Sequence, residues 1–420
     1  MRNWKRTNSA GLMLAVLLTG LPAGARNVVT DWTAIASTAI VKNGGKTPGA
    51  SSVWFAYASI AVYDAVNAIT GQYRPFYYQG PGARNVSIDA AAVAAAHKVL
   101  VNYFPSQQAD LDNQYTASLA GINADPQIKA AGVTVGEAAA AALIAARAND
   151  GLEANVPYTP GTGPGVWQPT PPAFAPAQTP WLAQLRPFTM TTPADHRPLG
   201  PPTLDSETFK RDFRLLHALG GTNSEVRSAS ESEIAIFWTE NTGQQFARMF
   251  NYLAGTQNLG VPDTARLMAM LWTGFADAAI GCWDGKFKFS FWRPVTAIGA
   301  GGGNLDMPAD PAWVSLSATP PHPEYPSGHG CATGAVTTII AGFFGTTGVP
   351  ITADSLAFQD GTHTHNFADT RELMDEIFWA RMYAGFHWYR SMEDGRQLGI
   401  TVARDLLQSH FLPREDYGLQ

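Results

Sequence analysis

Cysteine is almost absent from this chain of 420 residues: Cys282 and Cys331 are the only two, so no disulfide framework holds the fold together. Whether they join in one bridge or stay apart as buried thiols is open, because neither Cβ direction is legible in sequence. Charged residues make up only 15% of the chain and the net charge is -6. That balance excludes a nucleic-acid partner, since a phosphate backbone needs a basic surface. Any anion site must be a local concentration of positive charge inside an acidic protein. Strand-like alternation between turn residues is scarce, and neither a fixed-period repeat nor a sustained heptad run occurs. Apolar runs are short as well. The run 10–21 falls below the ~20 residues of a spanning helix, and 330–350, rich in Gly and Thr, reads as a buried bundle helix.

What is present is 45% hydrophobic residues, enough for a sizeable core. Arg2, Lys5 and Arg6 precede the first apolar run, and Ala23-Gly24-Ala25 follows it. This order is that of a secretory signal peptide cleaved near Ala25, which makes the mature protein exported, periplasmic or extracellular, without stable membrane insertion. Ala-rich segments with helical periodicity at 51–69, 88–103, 133–149, 206–219, 224–238 and 264–279 predict an all-α fold of helical bundles. From Asp150-Gly151 to about Pro202 the chain is rich in Pro and Gly, a composition that cannot sustain a helix and predicts a long loop. The expected organisation is a signal peptide over 1–25, an N-terminal helical bundle with the long Pro/Gly loop over 26–200, and a C-terminal helical bundle over 201–420 that bears the chemistry. A homo-oligomer is left open.

Three stretches in the C-terminal part match in chemistry. Lys286 and Arg293 lie seven residues apart, so on a helix or near-helix they would project on one side, with Pro294 ending that helix or starting the next. Arg offers a planar fork and Lys a compact point charge, a pair suited to an anion with several oxygens. Pro326-Ser327-Gly328-His329 precedes an apolar helical run, where backbone N–H groups attract anions, Gly328 permits close approach and Ser327 adds a hydroxyl. His329 is placed to exchange protons there. Arg381 and His387 lie on or just past a helical segment, 373–385. A neutral imidazole at His387 can attack phosphorus or coordinate vanadium, provided its other nitrogen is hydrogen-bonded. His363-Thr364-His365 lacks a third zinc ligand at a recognisable spacing and reads as a polar loop.

Together, Lys286-X6-Arg293-Pro294, Pro326-Ser327-Gly328-His329 and Arg381-X5-His387 resemble the signature shared by vanadium-dependent haloperoxidases and type 2 phosphatidic-acid phosphatases. Tyr63-Asp64-Ala65-Val66-Asn67 and the loop leading to Trp181 and Pro187-Phe188 resemble exported bacterial haloperoxidase-like proteins, so the likeness covers most of the mature chain. The resemblance implies vanadate as cofactor, bound by Lys286, Arg293, Ser327, Gly328 and Arg381, with His387 as its metal ligand. His329 would be the acid–base residue and Lys286 a catalytic cation polarising bound peroxide. It implies hydrogen peroxide, a halide and a small organic acceptor as reaction partners. Trp283 resembles an aromatic wall, and His322 stands where bromide-oxidising members tend to have histidine, which leans the halide towards bromide or iodide. The same signature also implies an exported acid phosphatase acting through a phosphohistidine, or a non-catalytic member. Two positions depart from it: Ala380 stands where serine is usual and Ser391 where many members have an aspartate. If that aspartate supports the histidine, another group must do so here, with Asp394 or Glu393 as candidates.

Overall fold

The computed structural model describes residues 26–80, 85–303 and 306–414, so the expected signal peptide lies outside the described residues. The chain runs through α1 (Val28–Ser37), α2 (Pro48–Thr70), α3 (Ile88–Tyr103), α4 (Gln108–Gly121) and α5 (Pro126–Ala146) before the long connection. After it come α6 (Glu207–Leu219), α7 (Ala229–Phe237), α8 (Thr242–Thr256), α9 (Val261–Phe289), α10 (Pro294–Ala300), α11 (Gly328–Phe344), α12 (Thr370–Tyr383) and α13 (Tyr389–Ser409). One antiparallel hairpin, β1 (Ile351–Ser355) with β2 (His363–Phe367), precedes α12. Among the described residues the fold is all-α apart from this hairpin, as the scarcity of strand patterns implied.

Local signals explain several boundaries. Proline in the first turn opens α2, α5 and α9, where its missing N–H has no helical partner to lose. Ser87 caps α3 by accepting from the Ala90 N–H, and Gly71 closes α2 in a left-handed conformation. The surface helix α4 escaped the periodicity reading because Leu111 alone among its residues is buried. The expected stretch 264–279 is the middle of α9, which runs ten residues further and carries Lys286 at its end.

Helix α9 is the axis of the molecule. It packs against α2, α11 and α13, and its Trp272 ring stacks on Phe55 of α2 at 4.0 Å. The main apolar core draws residues from every helix except α6 and α10, including both sides of the long connection. A second aromatic cluster of Phe209, Phe213, Trp292, Tyr325 and Trp388 lies beside the loop that carries Ser327. Helices α11 and α13 touch backbone to backbone: a Cβ on Gly399 would lie 2.0 Å from the Cys331 carbonyl oxygen, and one on Gly395 would lie 2.7 Å from that of Ser327. Only glycine allows that approach, and it seats the start of α11 against the start of α13.

The long connection is tied down rather than free. Arg147, buried at the end of α5, donates to Asp150 at 2.7 Å and to the Pro187 carbonyl at 3.0 Å. Asp277, fully buried on α9, accepts from the Phe188 and Thr189 N–H groups at 2.7 Å each and from the Thr189 hydroxyl at 2.6 Å. Further along, the Gln178 N–H donates to the Pro321 carbonyl at 2.8 Å and the Trp283 indole donates to Thr179 at 2.9 Å. The loop thus covers the C-terminal half of α9.

Asp277→Ala leaves three donors without their acceptor, one buried and two part-buried, a loss on the order of 3 kcal/mol. Urea unfolding should show a lower midpoint, and limited proteolysis should open the chain near 187–195. A variant as stable and as protease-resistant as the wild type would contradict this anchoring role.

Candidate functional site

The three charged stretches converge at the C-terminal end of α9. Lys286 sits in its last turn, but the helix stops at Phe289 because Ser290 turns left-handed at φ 47°. Arg293 is therefore not on the same helix as Lys286, contrary to the same-face expectation: it is the N-cap of α10, with Pro294 opening that helix. The turn between them aims both cations at one loop. Lys286 is 0% exposed, and its Nζ donates to the carbonyls of Pro323, Glu324 and Pro326 at 3.1, 2.9 and 2.5 Å. All three ammonium protons are used in holding this loop. Burial pulls the Lys286 pKa down to about 8, with Arg293 acting in the same direction.

Arg293 is also fully buried. Its Nε donates to the His322 carbonyl at 2.9 Å, its Nη1 to the Phe386 carbonyl at 3.0 Å, and its Nη2 lies 2.9 Å from His322 Nδ1. Ser327 caps α11, accepting from the Gly330 N–H, while its own N–H donates to the Ser391 carbonyl at 3.1 Å. From the far side, Arg381 in the last turn of α12 donates through Nη1 to the Trp238 carbonyl at 2.6 Å and lies 4.6 Å from the Phe386 ring. Its Nε is buried without a partner. Burial lowers Arg293 to about 10 and Arg381 to about 9, so both remain cations at neutral pH.

His387 follows α12 and is 2% exposed. Its Nδ1 lies 2.7 Å from Glu324 Oε1, and its Nε2 faces Arg293 Nη1 at 3.4 Å. Arginine has only donors to offer, so Nε2 carries the lone pair and Nδ1 the proton. The supporting carboxylate is Glu324, not Asp394 or Glu393. Asp394 instead accepts from the Tyr325 hydroxyl at 2.6 Å, and Glu393 pairs with Arg390. Both point away because α13 turns that face towards the α6 side and solvent, while Glu324 enters from the loop pinned by Lys286. Burial raises the Glu324 carboxyl to about 7, opposed by Arg293 and Lys286. Burial, then the neighbouring cations, hold His387 well below the usual histidine range, so its ring is neutral at pH 7.

These groups border one cavity of about 80 Å³ lined by Gly328, His329, Arg381 and His387, with Trp283, Phe275 and Ala279 on an apolar side. Thr47, Gln178 and Thr242 also reach it, the first from the start of α2 and the second from the long loop. Lys286, Arg293 and Ser327 stand directly behind this lining rather than in it. His329 Nε2 lies 3.4 Å from the Thr242 hydroxyl, and burial with Arg381 holds its pKa well down. Trp283 and His322 face each other with ring centroids 5.0 Å apart. No aspartate or glutamate lines the cavity. A pocket bordered by three buried cations, a neutral imidazole lone pair and an unpartnered guanidinium N–H fits a small tetrahedral oxyanion.

Glu324, Trp238, Thr242 and Gln178 were not expected from sequence. Cys282 and Cys331 are free, fully buried and in contact with each other; Cys282 Sγ donates to the same Pro326 carbonyl that Lys286 holds, at 3.5 Å. Among the described residues no group of His, Cys, Asp and Glu is arranged for a metal ion. His363 and His365 are instead ion-paired with Glu233, and His365 also with Glu376.

A family model described as the VCPO second helical-bundle domain matches residues 266–412. The vanadium chloroperoxidase of Curvularia inaequalis is 28% identical over 187 residues, covering 36% of this chain and 30% of that protein, so the chain matches less than a third of its length. The crystal structure of the first bacterial vanadium-dependent iodoperoxidase superposes with a TM-score of 0.79 at 23% identity, covering 92% of this chain and 97% of that one. A holo-type bacterial vanadium-dependent chloroperoxidase gives 0.72 at 18% identity, covering 93% and 99%. The family match spans α9 to α13, the part of the chain that carries the site, and the fold of these haloperoxidase structures is shared along most of the chain's length.

Proposed function

We propose that this protein is a vanadate-dependent haloperoxidase that uses hydrogen peroxide to oxidise bromide or iodide. The observation that carries the reading is the neutral His387 ring on the border of a buried, cation-rich cavity, with its Nε2 facing the Arg293 guanidinium and its Nδ1 held by a carboxylate. Bound vanadate would supply a Lewis acid that activates peroxide towards halide without changing its own oxidation state. Arg381 and Gly328, which line the cavity, would hold the anion, and Arg293 and Lys286 would add positive potential from behind. The free Nε of Arg381 is a donor left for an oxyanion oxygen. His387 Nε2 would be the ligand atom.

His329 is neutral and borders the same space, so its ring would take a proton from incoming peroxide while the Thr242 hydroxyl limits its rotation. Trp283, Phe275 and Ala279 exclude water from that side. Trp283 with His322 would form the halide wall. Export to the periplasm or outside the cell is part of the proposal and is supported by the basic, then apolar, N-terminal sequence.

Purified mature protein loaded with orthovanadate should oxidise bromide and iodide with peroxide, be inhibited by phosphate, and lose at least about 100-fold in rate as His387→Ala. Vanadate-inhibited cleavage of a phosphomonoester without halide oxidation would replace this reading with the phosphatase, whose nucleophile would be the same Nε2. Inactivity in both assays would leave a non-catalytic protein.

The Lys286 shift sets a pH dependence. Its folded-state pKa of about 8 lies below the ordinary 10.5, so the cation is present below pH 8 and is lost above it. Bound anion favours the charged form, so oxyanion affinity should fall by up to about tenfold per pH unit between pH 8 and 9.5. Calorimetric titration with inorganic phosphate, which stays a dianion across that range, checks this, and Lys286→Met should flatten the slope. An affinity that is constant with pH in the wild type would contradict it.

A further inference from the structure

The carboxylate that meets His387 reaches it from another part of the chain. Glu324 is 0% exposed, and its Oε1 lies 2.7 Å from His387 Nδ1 while accepting from the Trp388 N–H at 3.1 Å. One oxygen thereby holds both the ring and the main chain next to it. Glu324 is itself held: its N–H donates to the Phe291 carbonyl at 2.9 Å and its carbonyl accepts from Lys286 at 2.9 Å. Its second oxygen, Oε2, is buried without a partner in hydrogen-bond geometry, and so is the hydroxyl of Ser391, which lies against the same carboxylate from the first turn of α13. Ser391 is 1% exposed, so its side chain has no competing access to water.

We infer that Glu324 is the positioning residue of the site, fixing His387 in the Nδ1–H tautomer with Nε2 turned to the anion, and that position 391 is where a substitute carboxylate can take over that bond. The part concerning the anion rests on the oxyanion reading of the cavity; the tautomer does not. Asp394 and Glu393 cannot substitute, being engaged with Tyr325 and Arg390. Shortening residue 324 vacates volume beside Ser391, which already lies against the same carboxylate that His387 meets, so a longer side chain at 391 would fill it.

The test uses the full mature protein with ¹⁵N-labelled histidine, no vanadate present, and the His387 signals assigned by their loss in His387→Ala. Wild type should show a protonated Nδ1 and an unprotonated Nε2 near pH 8. Glu324→Gln keeps an acceptor oxygen and should keep that pattern. Glu324→Ala should weaken it, moving part of the proton to Nε2 because only the long 3.4 Å Arg293 contact then opposes a proton there, and Glu324→Ala/Ser391→Asp should restore it. In parallel, orthovanadate binding measured by equilibrium dialysis should weaken by about 10- to 100-fold in Glu324→Ala, as expected for a lost support to a ligand, and recover most of that in the double variant. Should Glu324→Ala fail to fold, Glu324→Leu fills the space with no acceptor and is compared with Glu324→Gln.

An unchanged Nδ1–H pattern and unchanged vanadate affinity in Glu324→Ala or Glu324→Leu would overturn the inference. A double variant no better than Glu324→Ala would overturn the role of position 391. If the tautomer responds as stated but no protein in the series binds vanadate, the positioning role stands and the proposed function falls.

Discussion

Burial of positive charge is the constraint on which the rest of this structure depends. Lys286 and Arg293 are 0% exposed and Arg381 2%, and the one carboxylate among them is Glu324. Removing three cations from water is costly unless their donors are satisfied and their charge is matched. The protein meets the first condition largely with main-chain carbonyls: those of Pro323, Glu324 and Pro326 for Lys286, of His322 and Phe386 for Arg293, and of Trp238 for Arg381. Carbonyl dipoles satisfy donors without cancelling net charge. The pocket is left short of negative charge, with the Arg381 Nε still unpaired, and the proposed oxyanion would supply both the charge and the acceptor.

The scaffold serves that imbalance. Glycines at 395 and 399 let α13 lie directly on α11, so that Ser327 at one helix start and His387, just before the other, are set by backbone contact rather than by flexible side chains. Helix α9 brings Lys286 to the same place from the core and is itself gripped by the long Pro/Gly connection through Asp277. That connection, far from being a passive linker, contributes Gln178 to the cavity and orients Trp283 through Thr179.

The cations, Ser327-Gly328-His329 and His387 were legible in the sequence because each stands at or near a helix end, where short motifs with Pro, Gly and Ser mark the boundary. Their supports were not. Glu324 is 63 residues from its imidazole partner and lies in a loop whose path is set by tertiary hydrogen bonds to Lys286. Trp238 contributes a main-chain carbonyl, which no residue type announces. The break between Lys286 and Arg293 was hidden because a serine, rather than Gly or Pro, takes the left-handed turn at 290. Helices α3 and α6 were read nearly to the residue because Ser87 and Ser206 cap them, whereas α13, with two glycines in a polar sequence, has helical packing that only α11 explains.

The central claim, that this buried cationic pocket is incomplete without an anion, is tested most directly by the unfolding temperature of the purified mature protein during a titration with orthovanadate at fixed ionic strength. A ligand that binds only the folded state stabilises it by about 2.7 kcal/mol at a hundredfold excess over its dissociation constant. The unfolding temperature should climb with the logarithm of vanadate concentration, and this response should be lost in Arg381→Met. An unfolding temperature indifferent to vanadate, or one that rises equally in Arg381→Met, would contradict it.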